Sequence, residues 1–430
     1  MVFFKLQVNC VRIFKALFFL VHFFVNAQTE SDMLNELKKS GRWGDYFLRE
    51  DSEFFKLVSQ DIVVDSLVFI GDSSLHFSTM NNIFNPIKES TTSAVATSRF
   101  QELQDSHLFI SSNSALIFAR YGSANIAAVI DIKTDFKSYI GGIIGSNKDR
   151  TGNWKLNGEI DLQLENLLKN GSSFSLFWKQ PSSAFRLLTF EAEYPVFSKF
   201  PFGLSAIYDQ EFYENFYINE SFSSHLSSIG KYGKLKIGSK AETSNNLEIS
   251  KVSKTRSASI ILQSDRRNTR WLPYSGSFWE MGIDLGKYKD HIGNALQLNT
   301  NFHFGTFKSY RSSLLYFMFS GSLNQIEGRS EVSTQFINFG GSNSIRGYAE
   351  NQFKAEWMSL QSVELIFGDF SRSQFFIFLD NALAKDIKIN PSSGFGIRVF
   401  DGKFYYDVSL GFPLEGLREA KLHIKFNTRL

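Results

Sequence analysis

"WKLNGEIDLQLE", residues 154–165, decides the fold. Trp154, Leu156, Gly158, Ile160, Leu162 and Leu164 alternate without a break with Lys155, Asn157, Glu159, Asp161, Gln163 and Glu165. A period of two sends apolar side chains to one strand face and polar ones to the other. "LQLNTNFHF" (296–304), "KFYYDVSLGF" (403–412) and "KLHIKFNTRL" (421–430) repeat the pattern. Such segments run ten to twelve residues, long for soluble proteins but matched to the ~9–11 that cross a bilayer at a tilt. Residues 136–430 hold about 16 of them, an even number suited to a closed antiparallel barrel.

Two architectures fit the alternation. The apolar faces pack against a second sheet, as in a sandwich or solenoid, or they face lipid while the charged faces line a wet lumen. Charges as dense as Lys155, Glu159, Asp161 and Glu165 on one face favour the lumen. In lipid the sheet must close, because a free edge would leave backbone groups without partners. Aromatic pairs near strand ends (Phe177 and Trp178, Phe278 and Trp279, Tyr405 and Tyr406) fit interfacial girdles or core edges.

Residues 1–27 read as an export signal: Lys5, Arg12 and Lys15, the apolar run "ALFFLVHFF", then "VNA" before Gln28. Beyond it, 43 basic residues face 43 acidic ones, which gives no reason to expect a nucleic-acid partner. Cys10, the one cysteine, lies in the signal, so the exported chain carries no disulfide or thiol chemistry. No later run of about 18 apolar residues marks a transmembrane helix. Thirty-nine phenylalanines remain after the signal, and they must be buried or face something other than water.

Between signal and barrel the pattern differs. "SDMLNELKKSGRWGDYF" (31–47) opens helix-like, with Met33, Leu34 and Leu37, and ends that pattern at Gly41; residues 28–59 form a partial domain or linker. From 60 to 135 the order is strand ("DIVVDSLVFIGDSS"), two helices ("STMNNIFNPIKES", "ATSRFQELQDSHLFI"), and a hairpin ("SALIFARYG", "ANIAAVIDIKTDF"). That is a small α+β domain.

Within the barrel, "NFGGSNSIRGYAENQF" (338–353) places one arginine on a glycine-rich loop. Arg346 is a planar fork suited to a carboxylate and to an aromatic face. "QFFIFLDNALA" (374–384) supplies both: alternation sends Phe375, Ile377 and Leu379 outward, and Phe378 with Asp380 inward. Glu364, in "SLQSVELIF" (359–367) on the preceding strand, offers a second inward acceptor.

The loop residues Gly340, Gly341, Ser344, Ile345, Arg346, Gly347 and Tyr348, with the downstream "FLDNA", resemble two motifs of the BamA/TamA outer-membrane assembly superfamily. These are its Arg-Gly-aromatic loop and its Phe-x-Asp-x-Gly strand. "DRRNTRWLPYSGSF" (265–278), with Asp265, Arg267, Pro273 and Gly276, is similar to another barrel segment of that family. The order of elements over 60–135 resembles one POTRA domain. Ala382 stands where the family's strand motif has glycine, and Leu430 where its chains end in an aromatic.

The resemblance implies an outer-membrane barrel with its N-terminal domain in the periplasm. It implies a loop arginine paired with the strand aspartate inside the lumen, and a seam between first and last strands that opens. Implied partners are lipid, unfolded outer-membrane or secreted polypeptides, and accessory lipoproteins or periplasmic proteins. A dedicated two-partner-secretion-type transporter and a passive pore remain alternatives.

An edge strand that pairs weakly can template an incoming one. The first strand, "KSYIGGIIGS" (137–146), carries Gly141, Gly142 and Gly145, which weaken a strand or mark curvature. No enzyme is expected: G-x-x-x-x-G-K-[ST], H-E-x-x-H and G-x-S-x-G are absent, and the seven histidines are scattered. No metal and no cofactor is expected.

Overall fold

The computed structural model describes residues 46–51, 54–59, 64–71, 74–88, 90–121, 125–148, 154–182, 184–195, 202–230, 232–329, 333–414 and 419–430. The export signal and the helix-like stretch near Met33 lie outside them. Strands β1 (Tyr46–Asp51) and β2 (Phe54–Ser59) pair antiparallel, in a region where sequence patterning gives no strand. Next come β3 (Val64–Gly71), helices α1 (Phe77–Phe84) and α2 (Ser93–Ser106), β4 (Ala115–Tyr121) and β5 (Asn125–Ile132). Their sheet runs β3-β5-β4. Phe84 stacks on Phe100 at 6.0 Å and tilts against Phe69 at 5.8 Å, which closes a small aromatic core.

The second unit is a barrel. Its strands begin with β6 (Tyr139–Lys148), β7 (Trp154–Glu165), β8 (Ser173–Ser182), β9 (Phe185–Tyr194), β10 (Gly203–Tyr213) and β11 (Tyr217–Gly230). They continue with β12 (Gly233–Asn246), β13 (Lys251–Asp265), β14 (Gly276–Lys289), β15 (Asn294–Tyr310) and β16 (Ser313–Ile326). A short internal hairpin, β17 (Ile337–Phe339) with β18 (Phe353–Ala355), interrupts the series. The wall resumes with β19 (Trp357–Phe367), β20 (Ser373–Ala384), β21 (Ser392–Phe400), β22 (Phe404–Pro413) and β23 (Lys421–Arg429).

Among the described residues, sixteen strands close on themselves, each antiparallel to its neighbours. Closure removes the stacked-sheet alternative. The even count puts the start of β6 and the end of β23 at the same end of the barrel, where Leu430 N donates to Ser138 O at 3.0 Å.

Burial follows the alternation. On β20, Phe375, Ile377 and Leu379 are 48–54% exposed, while Phe376, Phe378 and Asp380 are at most 4% exposed. The outward set recurs round the wall in Phe222, Ile237, Ile260, Met281, Ile283, Leu285, Leu422 and Ile424. Inside are ion pairs: Lys179 with Glu159 at 3.1 Å, Lys236 with Glu193 at 3.1 Å, Lys240 with Asp284 at 3.6 Å. Of the stretch 154–165, side chains are described from Asn157 onward, and Glu159, Asp161 and Glu165 all find inward partners.

Adjacent strand residues point opposite ways, so an aromatic pair cannot lie wholly on the outer girdle. Tyr405 turns inward, its hydroxyl 3.5 Å from Asp407, whereas Tyr406 is exposed. Phe278 likewise turns inward, under the Arg267 guanidinium at 4.5 Å.

Closure is uneven. β11 and β12 share fourteen register pairs and β14 and β15 another fourteen. β23 and β6 share three: Asn427↔Gly141, Thr428↔Ile140 and Arg429↔Tyr139. From Gly142 onward, β6 has register partners among the described residues on its β7 side alone.

Candidate functional site

The segment between β16 and β19 turns into the barrel instead of standing above it. Gly340, Gly341 and Gly347 all take positive φ, which side chains disfavour, and these bends let the chain double back. Gly340 N donates to Ser344 Oγ at 2.7 Å, and Gly341 N to Ile345 O at 3.2 Å. Ile345 and Tyr348 are buried with Phe339, Leu360, Ala382 and Ile389 in an apolar cluster, and Tyr348 Oη donates to Asn390 O at 2.8 Å. Ala382 contributes its methyl to this cluster.

Arg346 lies at the turn of that loop. Its Nε donates to Asp380 Oδ2 at 2.8 Å and its Nη2 to Asp380 Oδ1 at 2.7 Å, a two-toothed pairing. Nη1 donates to Glu364 Oε1 at 2.6 Å, and Nη2 also reaches Ser362 Oγ at 3.0 Å. The backbone N–H of Arg346 donates to Asp380 Oδ2 at 3.1 Å. Register explains the convergence: Ser362 lies opposite Asp380 and Glu364 opposite Phe378 on β19 and β20, all inward. The guanidinium carbon lies 3.6 Å from the centre of the Phe378 ring, a close cation–π contact.

Sequence reasoning missed the second half of this cluster. Arg398 on β21 donates to both oxygens of Glu364, at 2.7 and 2.9 Å, and to Asp407 at 3.0 Å. Its guanidinium caps Phe376 at 4.0 Å. Two guanidiniums and three carboxylates thus share one enclosed site, with Glu364 bridging the two arginines. Sequence shows only that Arg398 shares strand parity with Gly394 and Gly396; that these glycines face the inward rings of Phe378 and Phe376 is set by the register between β20 and β21.

Those glycines make the room. A Cβ on Gly394 would lie 2.5 Å from Phe378 Cζ, and one on Gly396 would lie 2.4 Å from Phe376 Cζ. On β22, a Cβ on Gly411 would come within 2.7 Å of Gly347 N and 3.0 Å of the Arg346 carbonyl carbon. The loop tip therefore rests directly on the backbone of β22. Gly347 N also donates to His423 Nε2 on β23 at 3.3 Å.

The rest of the loop is tied elsewhere. Asn338 donates to Tyr217 Oη at 3.0 Å, Gln335 to Glu242 at 2.7 Å, and Asn219 to Thr334 O at 2.6 Å. Glu350 binds Lys179 at 3.0 Å on β8 and accepts from Ser342 N at 2.9 Å. Contacts on β8, β11, β12, β20, β22 and β23 mean that the loop spans the lumen. At the rim, Arg329 grips Asp290 in the β14–β15 turn at 2.9 Å and holds that carboxyl down at about 2. That tie is complete above the ordinary aspartate range and is lost as pH falls through about 2.

The sequence matches no protein-family model and no curated protein. Solved structures share the fold. BamA from Haemophilus ducreyi lacking POTRA domains 1-3 aligns with 93% of this chain and 93% of its own, at 15% identity and a TM-score of 0.51. CdiB from Escherichia coli aligns with 93% of this chain and 83% of its own, at 12% identity and a TM-score of 0.62. CdiB from Acinetobacter baumannii does so with 93% and 81%, at 12% and 0.58. The resemblance to the BamA/TamA superfamily read from the loop and strand motifs therefore holds for the fold.

Two substitutions separate charge from geometry. Arg346→Lys keeps the charge but cannot serve Asp380 twice and Glu364 as well. It should free the loop, read as faster amide exchange over 338–353, while the barrel stays closed. Gly411→Ala leaves every ion pair chemically intact and should produce the same loop release, because the new methyl occupies the tip's seat. Normal protection of the loop in both variants would show that the cluster does not anchor it.

Proposed function

We propose that this chain is an outer-membrane barrel that acts on polypeptide at its seam. In this reading it assists the insertion of outer-membrane proteins or the passage of a secreted one. The observation that carries the reading is the closure at three register pairs beside strands that share up to fourteen. A strand edge with free N–H and C=O groups is a template for another extended chain. From Gly142 to Lys148, β6 offers such an edge without unfolding any other part of the wall.

The outward band of phenylalanine, isoleucine and leucine, on a sheet that closes on itself, supports lipid as the surrounding solvent. The polar, ion-paired interior supports a wet lumen. The anchored loop supports a gated channel over an open diffusion pore, because its ties reach opposite walls. Residues 60–135 would be a POTRA-like domain in the periplasm, meeting clients or accessory proteins there.

Lipid exposure is checked by placing a charge on each face. Ile377→Lys, mid-strand and outward, should destabilise the barrel by about 2–4 kcal/mol in denaturant titrations in vesicles. Asn301→Lys, mid-strand and inward, should fall well short of that. Equal effects would remove the lipid assignment.

The client class is tested by depleting the protein in its own cell and surveying outer-membrane and secreted proteins. Broad loss of barrel proteins supports assembly. Loss of one secreted protein reassigns the chain to dedicated transport, and unchanged levels of both overturn the polypeptide reading.

A further inference from the structure

The turn between β13 and β14, residues 266–275, does not stay with its own strands. β13 and β14 are the eighth and ninth strands of the barrel, on the wall opposite the seam. Their turn nevertheless meets residues at the seam itself. Trp271 stacks on Phe400 at the end of β21, 4.8 Å away and 10° from parallel, and meets the edge of Tyr139 at 5.7 Å. Tyr139 is the first residue of β6 and one of the three that pair with β23. Lys137 Nζ lies 5.0 Å above the Trp271 ring and 5.7 Å from that of Tyr139.

Arg270, next along the turn, fixes the same corner. Its guanidinium donates to both oxygens of Glu165 at 2.8 and 2.7 Å, and to Asp135 O at 3.1 Å. Glu165 in turn accepts from Lys137 N at 2.8 Å, and its own N–H donates to Ser138 Oγ at 2.9 Å. The segment leading into β6 is thereby held from across the lumen.

The turn is built to reach that far. Asn268 Oδ1 accepts from Tyr274 N and Ser275 N, both at 3.0 Å, and Arg267 closes back on Asp265. Gly276 takes positive φ and lets the strand pass close to Arg266, where a Cβ would lie 2.1 Å from its carbonyl oxygen. Leu272 is buried, and Gln374 donates to Pro273 O at 3.2 Å, so the middle of the turn is pinned on β20 as well.

We propose that Arg270 and Trp271 are positioning residues that hold the paired end of the seam shut from across the lumen. An extended polypeptide then gains access to β6 from Gly142 onward and not at Tyr139. Trp271 acts by bridging the Tyr139 ring to Phe400, so the three register pairs at that end are kept by side chains as much as by the ladder. The seam opens from one end, with Tyr139–Gly141 as its hinge. The inference rests on the templating function proposed above, but its physical core is the strut alone.

The test is amide exchange on the full chain in lipid vesicles, comparing the native protein with Trp271→Ala. Exchange over 139–141 and 427–430 should quicken by about tenfold or more, with β10–β12 unchanged, and Trp271→Phe should restore most of the protection. Phe400→Leu removes the other side of the stack and should reproduce the effect, so the test survives if Trp271→Ala does not fold. Unchanged exchange at the seam overturns the strut, as does faster exchange spread evenly round the wall. A seam that loosens in Trp271→Ala, while depletion of the protein leaves outer-membrane and secreted protein levels normal, upholds the strut and sinks the templating function separately.

Discussion

A sheet that closes on itself must pair its first strand with its last, and that single junction sets how the rest of this barrel is held together. Along the wall, a strand is held by up to fourteen register pairs with a neighbour. At the junction it is held by three. Gly141 is part of the reason: an added Cβ would lie 2.0 Å from Asn427 Oδ1, so this position packs backbone against an asparagine tip and gains no side-chain contact of its own. Gly142 adds a positive φ in mid-strand, which twists the edge away from a regular ladder.

Weak closure makes the interior ionic cluster intelligible. Burying five charged groups is expensive unless each has partners, and a lone charge left behind by a substitution would carry a penalty of about 3–5 kcal/mol. Arg346, Arg398, Glu364, Asp380 and Asp407 meet that demand by sharing: Glu364 serves both arginines, and each guanidinium also lies on a phenylalanine ring. Such a network adds little stability over a well-packed apolar core, but it tolerates few alternative arrangements. Its contribution is a fixed seat for a loop that would otherwise wander in a wide lumen.

Much of this was legible in the sequence, and for a physical reason. Period-two alternation is local, so "WKLNGEIDLQLE" and "QFFIFLDNALA" announce their faces without knowledge of their partners. The inward aspect of Phe378 and Asp380 follows from parity alone, and the strand count follows from spacing. Arg398 and Asp407 escaped because their importance is set by register between strands, which no single segment encodes. Trp271 and Arg270 were harder still, since a turn reveals its residues but not that it leans across a lumen. The aromatic pairs at strand ends fit girdles or core edges by composition, and alternation splits them, sending Tyr405 inward and Tyr406 outward.

Two insertions enter the lumen from opposite ends, and they bear on the same side of the wall. The long loop comes from between β16 and β19 and rests its tip on β22, with Gly347 N against His423 of β23. The turn between β13 and β14 comes from the other end and rests on Tyr139, Glu165 and Phe400. Arg398 lies near both: its guanidinium shares Glu364 with the loop arginine, and its strand ends at Phe400 under the Trp271 ring. A sheet has low resistance to bending along the line where it is least bonded. Supporting that line from within confines the weakness to a chosen stretch of edge, leaving the rest of the cylinder as rigid as its ladders make it.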